Sequence, residues 1–389
     1  MITWRQSWDI LLAGGLIWFV GCANTDVPTI SSGQAVVPDE RQLLDQANAE
    51  EQRLLHSGFV VDLPETEAYL LDIAHRLAGD DVNLASSLRI RIMQDPTLNA
   101  FAMPNGALFI HTGLLARLNN EAQIATIIAH EMSHVDARHS LKSYRQTKTS
   151  LTWMNVLAVS GGNYGALLGG IGAIASVQGY SRDLEREADD LGFQRLRDAG
   201  YDLHATVQVF ELLQAERERS ERKEPFFFGS HPRIAERINS YGDLLIKHGI
   251  PEELGTLGES AYQSHLPAII RADIDAGMRT GDFEGARQLL AKLDELDATS
   301  AETAFLHGEW HRKAPQEEPD YTTTISYYRN AIALDPNHAE AWRGLGLSLG
   351  TIGQHRDATS ALQRYVTLAP LANDHAHMLH LISTWSPDS

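Results

Sequence analysis

The spacing of apolar residues indicates helices over most of the chain. Residues 39–77 are acidic with apolar positions three or four apart, and Pro64 suits the first turn of a second helix within this segment. A stronger helix is predicted after Asn120, a residue type that caps helix N-termini. Another is predicted from the capping residue Ser181 to the stop signal Gly200. The pattern therefore predicts a mainly α-helical chain.

Two short runs instead follow the pattern of β-strands. Residues 88–93 alternate apolar and charged side chains, and residues 107–111 follow a Pro-Asn-Gly turn signal at 104–106. We expect these two runs to form a small antiparallel sheet. His111 lies on an edge strand in this interpretation and is expected to be a residue of the strand surface.

Length and composition limit the class of protein. A chain of 389 residues is long enough for two ordinary domains, each with its own core. A hydrophobic content of 43% with 21% charged residues is typical of folded soluble proteins. The formal charge of −19 argues against nucleic acid as a partner, because phosphates are neutralised by Lys and Arg. A change to Gly, Pro and Glu at 249–258 predicts a boundary between a domain at 39–250 and a second domain at 259–386.

The second domain contains an internal repeat. Residues 281–286 recur in character as residues 353–358, each between two amphipathic helices. Pro336 and Pro370 lie 34 residues apart, which is the tetratricopeptide period. The pattern of that repeat is also matched at Trp342, Leu345, Gly346, Gly353 and Ala358. The segment thus resembles three tetratricopeptide helix pairs, the middle one distorted at 313–320, which stack into a solenoid that can hold protein partners. An unrelated helical bundle is the alternative.

The N-terminal segment combines an apolar stretch with the only cysteine of the chain. Residues 10–20 are too few to span a bilayer comfortably but suit the core of a signal peptide. Residues 19–22, Phe-Val-Gly-Cys, resemble the lipobox of bacterial lipoproteins. We therefore predict a signal peptide at 1–21, lipidation of Cys22, a flexible tether at 22–38, and a periplasmic protein anchored to the outer membrane. An ordinary cleaved signal and a buried apolar helix are the alternatives.

A further stretch, residues 151–180, has no charged residue and seven glycines. Its length permits a membrane span, but glycine pairs at 161–162 and 169–170 divide it. Two buried helices or a hydrophobic cover over a cleft are the other interpretations.

The chemistry of the chain centres on the run His-Glu-Met-Ser-His at 130–134. His130 and His134 lie four positions apart, so on a helix both imidazoles project from one face and can bind a single zinc ion. Glu131 is next to the first ligand and can reach a water at the metal without binding the metal itself. It is therefore the candidate general base. A chain with 17 His can match this motif by accident, so a third ligand is needed.

The helix that starts at Ser181 supplies that ligand. Glu185 and Asp189 share one face of it, whereas Glu187 points elsewhere. We expect Glu185 to be the third ligand of a single zinc ion and Asp189 to accept the N–H of a ligand histidine. A charged, solvated helix surface is the alternative.

Together these motifs resemble the family of zinc peptidases that includes the CAAX prenyl protease and the HtpX-type membrane proteases. Residues 99–106, with 112–114, are similar to the active-site edge strand and turn of that family, and residues 230–232 with Arg237 are similar to its downstream His-Pro element. The resemblance implies an α+β zincin-like domain. It also implies that substrate binds along the edge strand at Phe101, Ala102 and Met103 and that His231 and Arg237 belong to the catalytic set.

Within this family, the signal sequence and the repeats indicate the envelope members. That resemblance implies that His231 is a reversible fourth zinc ligand that silences the enzyme, and that residues 151–180 are part of a cover. A histidine held at a helix N-terminus is the alternative for His231. His139 is interpreted as structural.

The leading functional hypothesis is a zinc metalloendopeptidase that cleaves misfolded or stalled envelope proteins. Its partners would be these substrates and the outer-membrane assembly machinery, reached through the repeats. The alternative is a chaperone or adaptor with a silent zinc site.

Overall fold

The computed structural model describes residues 27–30, 33, 36–148, 180–219, 234–251, 254–315 and 320–386. Several predictions lie outside these residues: the signal peptide, Cys22, His231 and nearly all of the uncharged stretch 151–180. Among the described residues, no helix is both long and apolar enough to cross a membrane.

The described N-terminal part alternates helices with a three-stranded sheet and then becomes helical. Its elements are α1 Pro38–Leu55, α2 Pro64–Ala78, α3 Val82–Ser87, β1 Arg89–Met93, β2 Ala100–Ala102, β3 Ala107–His111, α4 Thr112–Arg117, α5 Glu121–Asp136, α6 His139–Lys148, α7 Arg182–Asp198, α8 Ala205–Arg219 and α9 Ile234–His248. Pro64 begins α2 as predicted. The side chains of Asn120 and Ser181 cap α5 and α7 by accepting backbone N–H groups in the first turn.

The described C-terminal part consists of helices joined by short connections. Its helices are α10 Glu259–Thr280, α11 Phe283–Asp297, α12 Ala301–Lys313, α13 Tyr321–Leu334, α14 Ala339–Thr351, α15 His355–Leu368 and α16 His375–Trp385. Successive helices pack in pairs, as the repeat pattern predicts, and the longer connection between α12 and α13 falls where the middle pair was expected to be distorted. Tyr328 of α13 packs against Gly308 and Gly344, where a Cβ would collide with its ring. The fold is thus α+β followed by a tetratricopeptide-type solenoid.

The sheet corrects one prediction. Its order is β1-β3-β2, with β1 parallel to β3 and only β2 antiparallel to it. We expected residues 88–93 and 107–111 to be antiparallel. The three-residue strand β2 is too short to produce a sequence pattern, and the tight turn at 103–106 gives it the antiparallel position beside β3. β1 is left on the other side of β3, running in the same direction.

His111 corrects a second prediction. It lies on the central strand β3 and is only 6% exposed, so it is not a residue of the strand surface. Its Nδ1 is 2.8 Å from Oγ1 of Thr97 and 3.6 Å from Oδ1 of Asp95. The loop between β1 and β2 therefore covers it with polar partners.

The two faces of the sheet pack against different helices. Ala102 and Leu108 belong to the main core with α5, whereas Phe101, Met103 and Phe109 pack in a second cluster with α1. The sheet thus holds α5 on one face, while α1 closes the other.

The change of composition at 249–258 does not divide the core. Leu257 accepts the N–H of Ala122 through its backbone oxygen, and Tyr262 and Leu266 of α10 belong to the same apolar cluster as α5. Asp273 of α10 is buried and accepts a 2.8 Å hydrogen bond from Arg117 of α4. The first repeat helix is therefore packed onto the N-terminal part, even though the sequence indicates a boundary there.

Candidate metal centre

Two adjacent helices form the candidate metal centre. α5 is buried along its whole length, which places His130 and His134 at 1% and 2% exposure. α7 packs beside it and presents Glu185, at 6% exposure, from its first turn. All three side chains are therefore shielded from bulk water by the protein itself.

The three side chains converge. Nε2 of His130 lies 3.0 Å from Nε2 of His134. Oε2 of Glu185 lies 3.6 Å from the first of these nitrogens, and Oε1 lies 3.6 Å from the second. All three ligand atoms lie within 4.8 Å of one another, and in the described part of the chain this is the only group of this kind. Two imidazoles and one carboxylate are a usual donor set for a catalytic zinc, which keeps a fourth position for water. The donor set and the burial therefore fit the predicted ion.

Glu131 is buried within the same turn of α5 at 2% exposure. It follows the candidate ligand His130 directly in the chain and is not among the three converging donors. It stays the candidate general base.

His130 is supported by a buried ion pair on the side away from the centre. Its Nδ1 lies 3.0 Å from Oδ1 of Asp189. Asp189 accepts hydrogen bonds from Arg237 at 2.5 and 3.2 Å and from the Tyr241 hydroxyl at 2.9 Å. Burial would raise the pKa of Asp189, but the Arg237 charge and the hydrogen bond from His130 hold it below its usual range. Asp189 is therefore a carboxylate that can accept the Nδ1–H of His130.

Arg237 lies behind His130. Its guanidinium pairs with Asp189, is 2.8 Å from Nδ1 of His130 and stacks 4.2 Å from the ring centre of Phe210. A guanidinium only donates, and the hydrogen on Nδ1 of His130 points to Asp189, so Arg237 positions His130 through its ion pair with Asp189. The catalytic role implied for Arg237 stays a prediction, as does that of His231, which is outside the described residues.

The support of His134 was missed by the sequence reasoning. Nδ1 of His139 lies 2.8 Å from Nδ1 of His134, and Nε2 of His139 lies 3.2 Å from Oε2 of Glu187. Neither residue was assigned to the site, because a spacing of five on one helix places His139 away from His134. The sequence has no evident signal for the break in the helix that brings them together.

The predicted substrate strand is present, but its side chains are not available. Phe101, Ala102 and Met103 are 6%, 5% and 2% exposed and pack in the two clusters around the sheet. β2 is an edge strand. The carbonyl of Asn99 and the N–H of Met103 face β3. Since alternate residues face opposite sides, the backbone groups of Ala102 point away from the sheet. The role of this strand in substrate binding stays a prediction.

Comparison with known proteins agrees with this geometry. Residues 64–243 match the model of Peptidase family M48. The chain is 28% identical over 223 residues to the putative beta-barrel assembly-enhancing protease of Vibrio cholerae, which is 55% of this chain and 45% of that protein. It is 27% identical over 232 residues to the beta-barrel assembly-enhancing protease of Escherichia coli, covering 57% and 47%.

A third relative comes from a eukaryote. The chain is 29% identical over 164 residues to the mitochondrial metalloendopeptidase OMA1 of Schizosaccharomyces pombe, covering 42% of this chain and 48% of that protein. The chain spans about half the length of each of these three relatives. The resemblance drawn from the motifs is confirmed by the family match, and the His-His-Glu cluster lies within the residues that match Peptidase family M48.

Proposed function

We propose that the protein is a zinc-dependent metalloendopeptidase of the bacterial envelope that cleaves misfolded or stalled envelope proteins. The observation that carries this proposal is the buried convergence of His130, His134 and Glu185, with Glu131 beside them. A site that served only to hold structure would have no use for a carboxylate placed next to a position left for water.

The residues have separate tasks in this proposal. His130, His134 and Glu185 hold the zinc. Bound there, zinc supplies a Lewis acid that polarises the scissile carbonyl and lowers the pKa of a water molecule. The Glu131 carboxylate takes the proton of the attacking water and passes it to the leaving amine.

Substrate binding follows from the position of β2 at the edge of the sheet, where the backbone groups of Ala102 point away from β3. A peptide that pairs with Ala102 as an additional antiparallel strand is held through its main chain, so its side chains are read only weakly. Broad sequence tolerance of this kind suits an enzyme that removes misfolded chains.

Location and partners form the finer part of the proposal. A signal peptide at 1–21, lipidation at Cys22 and a tether at 22–38 would hold the peptidase domain, residues 39–250, at the outer membrane. The repeats at 259–386 would bring substrates or the outer-membrane assembly machinery to it. The names of the bacterial relatives support a connection with β-barrel assembly. Mass analysis of the mature N-terminus, with Cys22→Ser as the control, tests the anchor.

The direct test of the chemistry is Glu131→Gln. We expect casein cleavage to fall by about 10²–10⁴-fold, since the general base is lost, while zinc content stays at one ion per chain. Glu211→Gln, on the exposed surface of α8, is the matched control and should cleave as the wild type does. Undiminished cleavage by Glu131→Gln would remove the mechanism. Zinc retained with no cleavage by the wild type would favour the adaptor.

Self-inhibition by His231 has its own test. If His231 is a reversible fourth ligand, His231→Ala should raise the rate of casein cleavage, because the water position is then always open. Unchanged or lower activity would contradict the blocking role.

A further inference from the structure

We propose that His139 is a positioning residue for the zinc ligand His134, and that Glu187 and Lys142 set the tautomer in which it acts. The inference rests on the proposed function only in taking His134 as a zinc ligand. It adds a second support to the centre, independent of the one behind His130.

The contacts form a chain that leads from the centre to the surface. His139 is completely buried, with Nδ1 at 2.8 Å from Nδ1 of His134 and Nε2 at 3.2 Å from Glu187. Lys142 reaches both carboxylate oxygens of Glu187 at 3.0 Å. The chain therefore runs from the ligand His134 to the imidazole of His139, then to the Glu187 carboxylate and the Lys142 ammonium.

Proton positions in this chain are mutually dependent. When Nε2 of His134 binds a metal it carries no hydrogen, so its hydrogen must be on Nδ1. The facing Nδ1 of His139 must then be an acceptor, which places the hydrogen of His139 on Nε2. That N–H points at Glu187 and is accepted by its carboxylate.

The opposite arrangement is disfavoured at both ends. If the hydrogen of His139 were on Nδ1, its Nε2 would carry none. Nε2 and the Glu187 carboxylate would then face each other as two acceptors. This arrangement would also move the hydrogen of His134 onto Nε2 and remove a metal ligand.

The backbone is built to bring His139 into this position. In a continuous helix, residues five apart are separated by about 140° around the axis. Here α5 ends at Asp136 and Arg138 takes a left-handed conformation with φ 51°. This conformation costs a non-glycine residue about 1–2 kcal/mol. Nε of Arg138 lies 3.0 Å from Glu40 of α1, where both side chains are buried. The strained turn is therefore held by a tertiary contact.

A purely packing role for His139 makes a different prediction. The ring also lies 5.8 Å from the ring of Tyr180, and a side chain of similar volume could fill the same space. Packing depends on volume, whereas positioning of His134 depends on an acceptor at the place of Nδ1. Two substitutions separate these properties.

The test compares His139→Leu, which keeps volume without an acceptor, with His139→Asn, whose amide oxygen lies near the place of Nδ1. Zinc dissociation constants would be measured by chelator competition, and the visible absorption of Co²⁺-loaded protein would report ligand geometry. We expect affinity to fall about 10–100-fold in His139→Leu, with an altered Co²⁺ spectrum. His139→Asn should recover most of the affinity and the wild-type spectrum.

The control is His338→Leu. His338 pairs through Nε2 with Glu302 at 3.1 Å in the repeats, far along the chain from the centre, so its loss should leave zinc affinity unchanged. Apo-protein melting temperatures would be recorded for every variant.

A folded His139→Leu with wild-type zinc affinity and Co²⁺ spectrum would overturn the inference and leave the proposed function intact. Equal loss of affinity in the Leu and Asn variants would likewise overturn it in favour of packing. A wild type that binds no zinc would overturn the proposed function itself.

Discussion

Two buried carboxylates in this protein each contact an arginine and a tyrosine, but they differ in their remaining neighbour. Asp189 accepts hydrogen bonds from Arg237 and Tyr241, and Glu309 of α12 accepts them from Arg312, at 2.7 Å, and from the Tyr328 hydroxyl. In both places burial raises the pKa of the acid and the arginine lowers it, so that each carboxyl stays ionised.

The difference between them is the third neighbour. Asp189 also contacts the candidate ligand His130, whereas the described partners of Glu309 are Arg312, Lys313 and Tyr328. A buried carboxylate with a displaced pKa is therefore not by itself a functional site. It becomes part of one when the group it holds is a metal ligand.

The two pairs also differ in how they are assembled. Asp189 and Arg237 are 48 residues apart, on α7 and α9, while Glu309 and Arg312 are three residues apart on one helix. The first pair fastens two helices together behind the centre. The second pair forms within one helix, and Tyr328 connects it to the next.

Removing each carboxylate should give the largest contrast. Asp189→Ala leaves the buried Arg237 without the carboxylate it pairs with, which should cost about 3–5 kcal/mol of unfolding free energy. Glu309→Ala should cost less, because Arg312 and Lys313 are 23% and 36% exposed and water can replace the partner. Urea denaturation measures both.

Zinc affinity sharpens the same comparison. Asp189→Ala should weaken zinc binding about 10–100-fold, since the Nδ1–H of His130 loses its acceptor. Glu309→Ala should leave binding unchanged. Weaker binding in the Glu309 variant would mean that the two carboxylates are coupled through the packing of α10 onto the peptidase domain.

Acidification should affect Glu309 in a defined window. Burial by itself would raise the pKa of Glu309, but the hydrogen bonds and charges of Arg312 and Lys313 outweigh this effect and lower the pKa to about 2. Because the folded pKa is below the unfolded value, the stabilising effect is complete above about pH 4.5 and is lost as the pH falls towards 2. It is worth on the order of 3 kcal/mol.

The measurement uses a variant that cannot titrate at this position. The difference in unfolding free energy between wild type and Glu309→Gln should be greatest near neutral pH and shrink between pH 4.5 and 2.5. A difference independent of pH would show that the pKa of Glu309 is the same in the folded and the unfolded protein.

The tyrosines should give the smallest effects. Tyr241→Phe and Tyr328→Phe keep the ring and remove one hydrogen bond to a carboxylate, which should cost about 1.5 kcal/mol each, since the arginine still pairs. Tyr241→Phe should weaken zinc binding much less than Asp189→Ala. Equal losses would place the orientation of Asp189 under the control of Tyr241.

The elements of the site were predictable because they are local. The spacing of His130 and His134 and the shared face of Glu185 and Asp189 follow from helical periodicity, and both helices have capping residues where the pattern requires them. The repeat period likewise predicted the helix pairs. Predictions failed where the decisive partner was short or remote: β2 has three residues, and Thr97 and Asp95 cover His111 from a loop.

The sequence alone determined which side chains share a helix face, since the α-helix repeats every 3.6 residues whatever surrounds it. It therefore predicted the three candidate ligands, the candidate base beside them and the repeats. Only the tertiary structure decided which faces meet. It placed α7 against α5, brought Arg237 from α9 behind His130, and turned the chain at Arg138 so that His139 faces His134. These contacts depend on burial and on charge pairs across helices, which no local pattern encodes.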